Sequence, residues 1–108
     1  TFAPLGPWLA TPEEIGDINN LRLWLTVNGK SMQEGNTQNL VFNIPHLISY
    51  VSQFMTLLPG DIISTGTPAG VGMGQKPDPV YIKPGDLIEL GIDGLGSSRQ
   101  RARAYQTA

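Results

Sequence analysis

The stretch that decides the fold runs from Leu58 to Gly74 and reads LPGDIISTGTPAGVGMG. The pair Pro59-Gly60 favours a turn, and the β-branched run Ile62 to Thr65 predicts a strand. The residues after this strand have small side chains, so their backbone can approach a ligand closely. We therefore expect a ligand-binding loop that offers main-chain N–H groups and one hydroxyl, that of Thr67.

A glycine-rich loop can also hold a nucleotide phosphate when it opens onto a helix. The run Gly70 to Gly74 lacks the spacing of a dinucleotide site and leads into Pro77 and Pro79, which do not permit the helix start that such a site needs. The sequence therefore argues against phosphate binding here.

Size and composition limit the other possibilities. The chain has 108 residues, which is one structural unit at most, and its 13 glycines and 9 prolines indicate many turns between short strands. The net charge of −2 argues against a nucleic-acid partner, and no apolar run approaches the roughly 18 residues of a membrane span. The lack of cysteine excludes a disulfide and a thiolate nucleophile and fits a reducing, cytoplasmic location. Because the sequence starts at Thr1 rather than at Met, we expect it to be a piece of something longer.

The chain before the first predicted strand combines an irregular segment with one helical turn. Residues 1–11 contain two prolines and a glycine, yet Phe2, Leu5 and Trp8 are too apolar to be left in water, so this segment should be covered by other parts of the protein. Thr11 before Pro12, with Glu14 three residues after Thr11, predicts a capped single turn that ends near Gly16.

Alternation of apolar and polar residues predicts a strand over Leu21 to Val27. Asn28-Gly29 follows at once and is the strongest short signal for a tight hairpin. We expect a short return strand over Lys30 to Gln33 and then a loop over Glu34 to Thr37, where several side chains can bond their own backbone.

A helical period begins at Asn43, which is a good N-cap. Its apolar stripe consists of Ile44, Leu47, Ile48, Val51, Met55 and Leu58. We expect this helix to continue until Pro59-Gly60 stops it.

The remainder predicts further strands separated by turns. Strands are expected over Val80 to Lys83 and Leu87 to Ile92, with turns at Pro84 to Asp86 and Asp93 to Gly96. The chain closes with the segment Ser98 to Tyr105. The expected fold is therefore mainly β with one or two helices, an α+β arrangement.

Four sets of polar residues were candidates for chemistry. His46 is the only histidine, but it lies just inside a helix N-terminus without a visible pocket or orienting partner. The acids Glu13, Glu14 and Asp17 could suggest a cation site, although helix capping explains them better. The alternating Arg99, Arg101 and Arg103 could bind an anion, but a solvated strand edge is the simpler explanation. Thr67 differs, because its hydroxyl has no structural need that Ser or Val would not meet.

The motifs taken together resemble the C-terminal half of the fumarylacetoacetate hydrolase family. The residues that carry the resemblance are Gly6-Pro7-Trp8, Val27-Asn28-Gly29, Gln33, Asn36-Thr37, Leu57 to Asp61, Thr65 to Gly72, Lys83 to Asp86 and Gly94-Leu95-Gly96. Among family members, the sequence is most similar to bacterial ureidoglycolate lyases and hydrolases of 2,4-diketo-3-deoxy sugar acids.

The resemblance implies a mixed β-roll whose mouth holds one Mg²⁺ or Mn²⁺ that chelates a 2-oxo acid. It places the family's metal ligands, its His-Glu base and its lysine upstream of this sequence, so no catalytic or metal-binding residue is assigned within residues 1–108. Only Thr67, with Gly66 beside it, transfers as a substrate-contacting position. Glu89 matches an acidic position of the founding enzyme, but in this subgroup we expect it to be structural.

The resemblance therefore implies part of a metal-dependent hydrolase or lyase that cleaves a C–C or adjacent bond in a small 2-oxo or 2,4-diketo acid, and that works as a homodimer. The 108-residue chain alone is expected to be inactive. The alternative is a binding or interaction module that keeps the loop without the metal site.

Overall fold

A computed structural model describes residues 3–106. Its elements, in chain order, are helix α1 (Pro12–Ile15), strands β1 (Arg22–Val27) and β2 (Lys30–Asn36), a 3-10 turn (Thr37–Asn39), helix α2 (Ile44–Ser52), a second 3-10 turn (Gly72–Gly74), and strands β3 (Leu87–Ile92) and β4 (Gly96–Arg101). The strands form one sheet in the order β2-β1-β3-β4, with each neighbouring pair antiparallel. The predicted α+β class is confirmed. No helix in the described part of the chain is long and apolar enough to cross a membrane.

The hairpin between β1 and β2 forms where it was predicted. Asn28 and Gly29 both have positive φ, 51° and 79°, as the tight primed turn requires. The short return strand was wrong, because β2 continues to Asn36. Glu34 pairs with Trp24 across the two strands. A bulge at Met32 shifts the pairing by one residue, so that Leu25 pairs with Gln33 and Thr26 with Ser31.

Two predicted strands do not form among residues 3–106. The segments 62–65 and 80–83 are irregular, and the outer strands β2 and β4 do not pair with them. Turn contacts take some of the backbone groups that a ladder would use. The N–H of Val80 donates to Gly72 O at 2.9 Å, and the N–H of Lys83 donates to Asp86 Oδ2 at 2.7 Å. High β-propensity without a partner backbone does not make a strand.

Helix α2 begins as predicted and ends early. Asn43 Oδ1 accepts a hydrogen bond from the N–H of His46 at 2.9 Å, which confirms the N-cap. The predicted end at Leu58 was wrong, since the last helical residue is Ser52. The N–H of Leu58 instead donates to Asp61 Oδ2 at 2.8 Å, in a separate turn around Pro59-Gly60.

Helix α1 confirms the predicted capped turn. The N–H of Thr11 donates to Glu14 Oε2 at 2.7 Å, and the turn ends at Gly16, whose φ of 79° suits glycine.

The described chain has little interior. Ile88 at the centre of the sheet is the buried large apolar residue, whereas Leu5, Trp8 and Phe42 are 73%, 61% and 55% exposed. Phe2, which was expected to be covered with them, lies outside the described residues. The predicted strand and helix therefore form, while many of the apolar side chains in the described chain remain on the surface.

Candidate functional site

The candidate site is the segment Gly66 to Gly72, which lies against strand β2. Gln33 on β2 joins the two. Its Nε2 atom donates to Thr67 Oγ1 at 2.7 Å and to the carbonyl oxygen of Pro68 at 2.7 Å. A second side chain, that of Gln75 just after the loop, also holds it, because Gln75 Nε2 donates to Gly70 O at 2.9 Å. The loop is therefore fixed to the sheet by side-chain bonds rather than by a strand ladder.

Glycines allow this close approach. A Cβ atom on Gly35 of β2 would lie 2.8 Å from Pro68 Cβ, and one on Gly70 would overlap the carbonyl oxygen of Met32. Gly70 also has a φ of +111°, which side chains rarely permit. A Cβ on Gly72 would overlap Val80 O. Packing against the rest of the chain thus explains glycine at positions that the sequence assigned to ligand access.

Thr67 lies between two clefts. The larger has a volume of about 420 Å³, and the smaller, about 140 Å³. The larger is lined by Leu23, Glu34, Gly35, Asn36, Thr37, Asn39, Leu40 and residues 65–69. Both predicted substrate-binding residues, Gly66 and Thr67, line both clefts and are exposed. The structure thus places them at a surface that a small molecule could reach.

The charged residue of the larger cleft already has a partner. Glu34 Oε1 lies 2.8 Å from Arg22 Nη2, and both side chains are more than half exposed. Hydrogen bonding to Glu34, together with its negative charge, raises the pKa of Arg22. Within the segment Gly66 to Gly72, the neutral Thr67 hydroxyl is the side-chain hydrogen-bonding group.

The other candidate residues lie elsewhere. His46 stacks between Phe42 and Tyr50, with ring centroids 4.9 Å and 6.3 Å away, on the exposed side of α2. Asp17 Oδ1 accepts from the N–H of Asn19 at 2.9 Å, as expected for a turn. Neither side chain lines the clefts beside Thr67.

The arginines follow the edge of the sheet. Arg99 Nε lies 3.4 Å from Glu89 Oε1 on the neighbouring strand, and Arg101 Nη1 donates to Gly85 O at 2.9 Å. Strand β4 is an outer strand, so this arrangement agrees with the interpretation as a solvated edge. Glu89 has the same local role, as a partner of Arg99. Arg103 follows the strand.

Two sequence motifs meet at one end of the sheet. Asn28 Nδ2 donates to Asp86 Oδ1 at 2.9 Å, and Asn28 Oδ1 accepts from the N–H of Leu87 at 2.9 Å. The backbone N–H of Lys83 and then the Asn28 amide hold the pKa of Asp86 below its usual value. The hairpin turn and the turn before β3 are therefore one connected unit.

Ligands for a divalent metal do not converge in this part of the protein. Within residues 3–106, no group of three or more His, Asp or Glu side chains is placed to hold an ion. The residues present therefore do not by themselves fit the Mg²⁺ or Mn²⁺ that the resemblance implies.

The sheet, its glycine-rich loop and the paired turns define a class of protein. The family model for the fumarylacetoacetate (FAA) hydrolase C-terminal region matches residues 1–103, and the chain belongs to this family. It is 54% identical over 106 residues to the 2,4-didehydro-3-deoxy-L-rhamnonate hydrolase of Sphingomonas sp. (strain SKA58). The matched residues cover 98% of this chain and 37% of that protein.

Solved structures agree. A fumarylacetoacetate hydrolase from psychrophilic Exiguobacterium antarcticum is similar with a TM-score of 0.87 and 40% identity, over 94% of this chain and 36% of that one. A maleylpyruvate hydrolase from Sphingobium sp. SYK-6, in complex with manganese(II) ion and pyruvate, is similar with a TM-score of 0.81 and 42% identity, over 94% and 35%. The chain therefore spans little more than a third of the length of these relatives.

The sequence predicted substrate contacts for Thr67 and Gly66 but gave Gln33 no role. Gln33 entered only as one residue of the family resemblance. Its contact with Thr67 depends on the bulge in the hairpin, which sets Gln33 opposite Leu25. No local pattern in the sequence predicts that bulge.

Proposed function

We propose that this chain is the C-terminal part of the catalytic domain of a divalent-metal-dependent enzyme that cleaves a C–C or adjacent bond in a small 2-oxo or 2,4-diketo acid. The observation that carries the proposal is the Thr67 loop, fixed by Gln33 at the edge of a cleft of about 420 Å³. Relatives named as hydrolases of such acids support the substrate class.

Thr67 and Gly66 contact the substrate in this proposal. The Thr67 hydroxyl is exposed at the cleft, and it can bond to a carboxylate or keto oxygen. Gly66 has a φ of +94°, and outside its chain neighbours no atom lies within 4 Å of where its Cβ would be, so its surface is open to a ligand. These residues bind and orient the substrate, and no bond-breaking step is assigned to them.

The Mg²⁺ or Mn²⁺ of this proposal is held by residues other than those described. A relative in complex with manganese(II) supports the kind of ion. The 108-residue chain alone should therefore be inactive.

The proposed assembly is a cytoplasmic homodimer. The exposure of Leu5, Trp8 and Phe42 supports covering surfaces from the rest of the protein or from a second subunit. Sedimentation of the whole protein at micromolar concentration should give a dimer, and a monomer would contradict this part of the proposal.

The experiment for the reaction uses the whole protein and a panel of 2-oxo and 2,4-diketo acids. We expect cleavage of at least one of them, loss of activity after treatment with EDTA, and recovery with Mg²⁺ or Mn²⁺. Saturable binding of these acids without turnover at any metal concentration would instead favour the non-catalytic binding module.

A further inference from the structure

The two bonds of Gln33 determine the polarity of the Thr67 hydroxyl. The carbonyl oxygen of Pro68 can only accept a hydrogen bond, so the Gln33 atom that lies 2.7 Å from it must be the amide nitrogen. That same nitrogen lies 2.7 Å from Thr67 Oγ1. Thr67 Oγ1 therefore accepts from Gln33.

Accepting this bond leaves the hydroxyl proton of Thr67 for another partner. Among the described residues, the hydrogen bond of the Thr67 hydroxyl is the one that it accepts from Gln33, whereas the hydroxyl of Ser52, for comparison, donates to Ser49 O at 2.8 Å. The Thr67 side chain is exposed between its two clefts. The proton is thus available to a molecule in the cleft.

We infer that Gln33 is a positioning residue that makes Thr67 a hydrogen-bond donor, so that the loop selects an acceptor oxygen of the substrate. This inference rests on the proposed function and specifies it. The group bound at Thr67 is a carboxylate or keto oxygen, and an ammonium group, which can only donate, is disfavoured at this point.

The test measures pyruvate binding to the whole, metal-loaded protein in Gln33→Met, Thr67→Val and the double variant. Thr67→Val removes the donor and should weaken pyruvate binding by about ten- to a hundredfold. Gln33→Met leaves a hydroxyl that is free to rotate, and it should weaken binding by about three- to tenfold. In the Thr67→Val background, Gln33→Met should cause no further loss, because Gln33 acts through Thr67.

Two control variants separate polarity from loop anchoring. Gln75→Met removes a comparable bond to a loop carbonyl, that of Gly70, without touching Thr67, so its effect on pyruvate affinity should be smaller than that of Gln33→Met. Thr67→Ser keeps the donor, and its affinity for pyruvate should stay within about threefold of that of the unaltered protein.

If Gln33→Met does not fold, Gln33→Glu replaces it in the test, because glutamate keeps the size of the side chain. Its carboxylate can only accept at neutral pH, so it should draw the Thr67 proton away and weaken binding.

The outcomes are distinguishable. Weak binding in Thr67→Val together with unaltered binding in Gln33→Met, or in Gln33→Glu where that variant is used, would overturn the role of Gln33 and leave the proposed function standing. Additive losses in the double variant would also overturn it. Unaltered binding in Thr67→Val would overturn the substrate contact itself, and the role of Gln33 with it.

Discussion

Replacing Gly35 by alanine tests whether the loop depends on its close approach to strand β2. The new Cβ would lie 2.8 Å from Pro68 Cβ, whereas carbon atoms in ordinary contact are about 3.5 Å apart or more. The loop must therefore move by about 0.7 Å. Overpacking of this kind costs about 1–3 kcal/mol.

The same displacement affects Thr67. Moving the loop away from β2 by about 0.7 Å would stretch the Gln33–Thr67 bond from 2.7 Å to about 3.4 Å, near the limit of a hydrogen bond. We expect kcat/KM of the whole protein to fall by about ten- to a hundredfold, since small misplacements of a binding group have effects of this size.

The matched control is Gly74→Ala. The nearest atom to its new Cβ is Val71 Cγ2 at 3.7 Å, an ordinary contact, so stability should change by no more than about 0.5 kcal/mol. Urea unfolding gives the stability of both variants, and steady-state kinetics give their kcat/KM. Equal behaviour of Gly35→Ala and Gly74→Ala in both assays would refute the packing of the loop on β2.

Three further predictions concern residues away from the loop. Asp86→Asn should lower the urea midpoint at pH 7, and the difference should shrink as the pH falls below about 4, because a carboxyl with a lowered pKa stabilises the fold above its unfolded pKa and loses that effect as it is protonated. A difference that stays constant down to pH 2 would contradict this. Glu34→Gln should have a small effect on stability that disappears in 1 M salt, since the ion pair with Arg22 is exposed, and a large effect that persists in salt would show another role. His46→Ala should leave kcat/KM within about twofold, because His46 lies in an exposed aromatic row; a larger loss would place it in the reaction.

The elements that the sequence predicted well are those with local causes. The turn at Asn28-Gly29 and the N-cap Asn43 each depend on neighbouring residues, and each forms where expected. The strand predicted over Leu87 to Ile92 also forms. The loop around Thr67 was predicted because residues with small side chains follow the β-branched run Ile62 to Thr65.

The errors depend on partners that are distant in sequence. Whether residues 62–65 form a strand depends on an adjacent backbone, and the length of β2 depends on the pairing of Glu34 with Trp24. Helix α2 ends at Ser52, and Leu58 and Asp61 form a separate turn, which the apolar period does not reveal. Gln33 was overlooked for the same reason, since its role comes from a loop 34 residues away.

The central claim is that Thr67 binds the substrate of a metal-dependent enzyme. The most direct measurement is the steady-state kinetics of Thr67→Val in the whole protein, because valine keeps the shape and β-branching while it removes the hydroxyl. A hydrogen bond to a charged group contributes about 1.5–3 kcal/mol, so kcat/KM should fall by about ten- to a hundredfold, with metal affinity and Tm little changed. Unaltered kinetics, or a loss of stability that parallels the loss of activity, would contradict the claim.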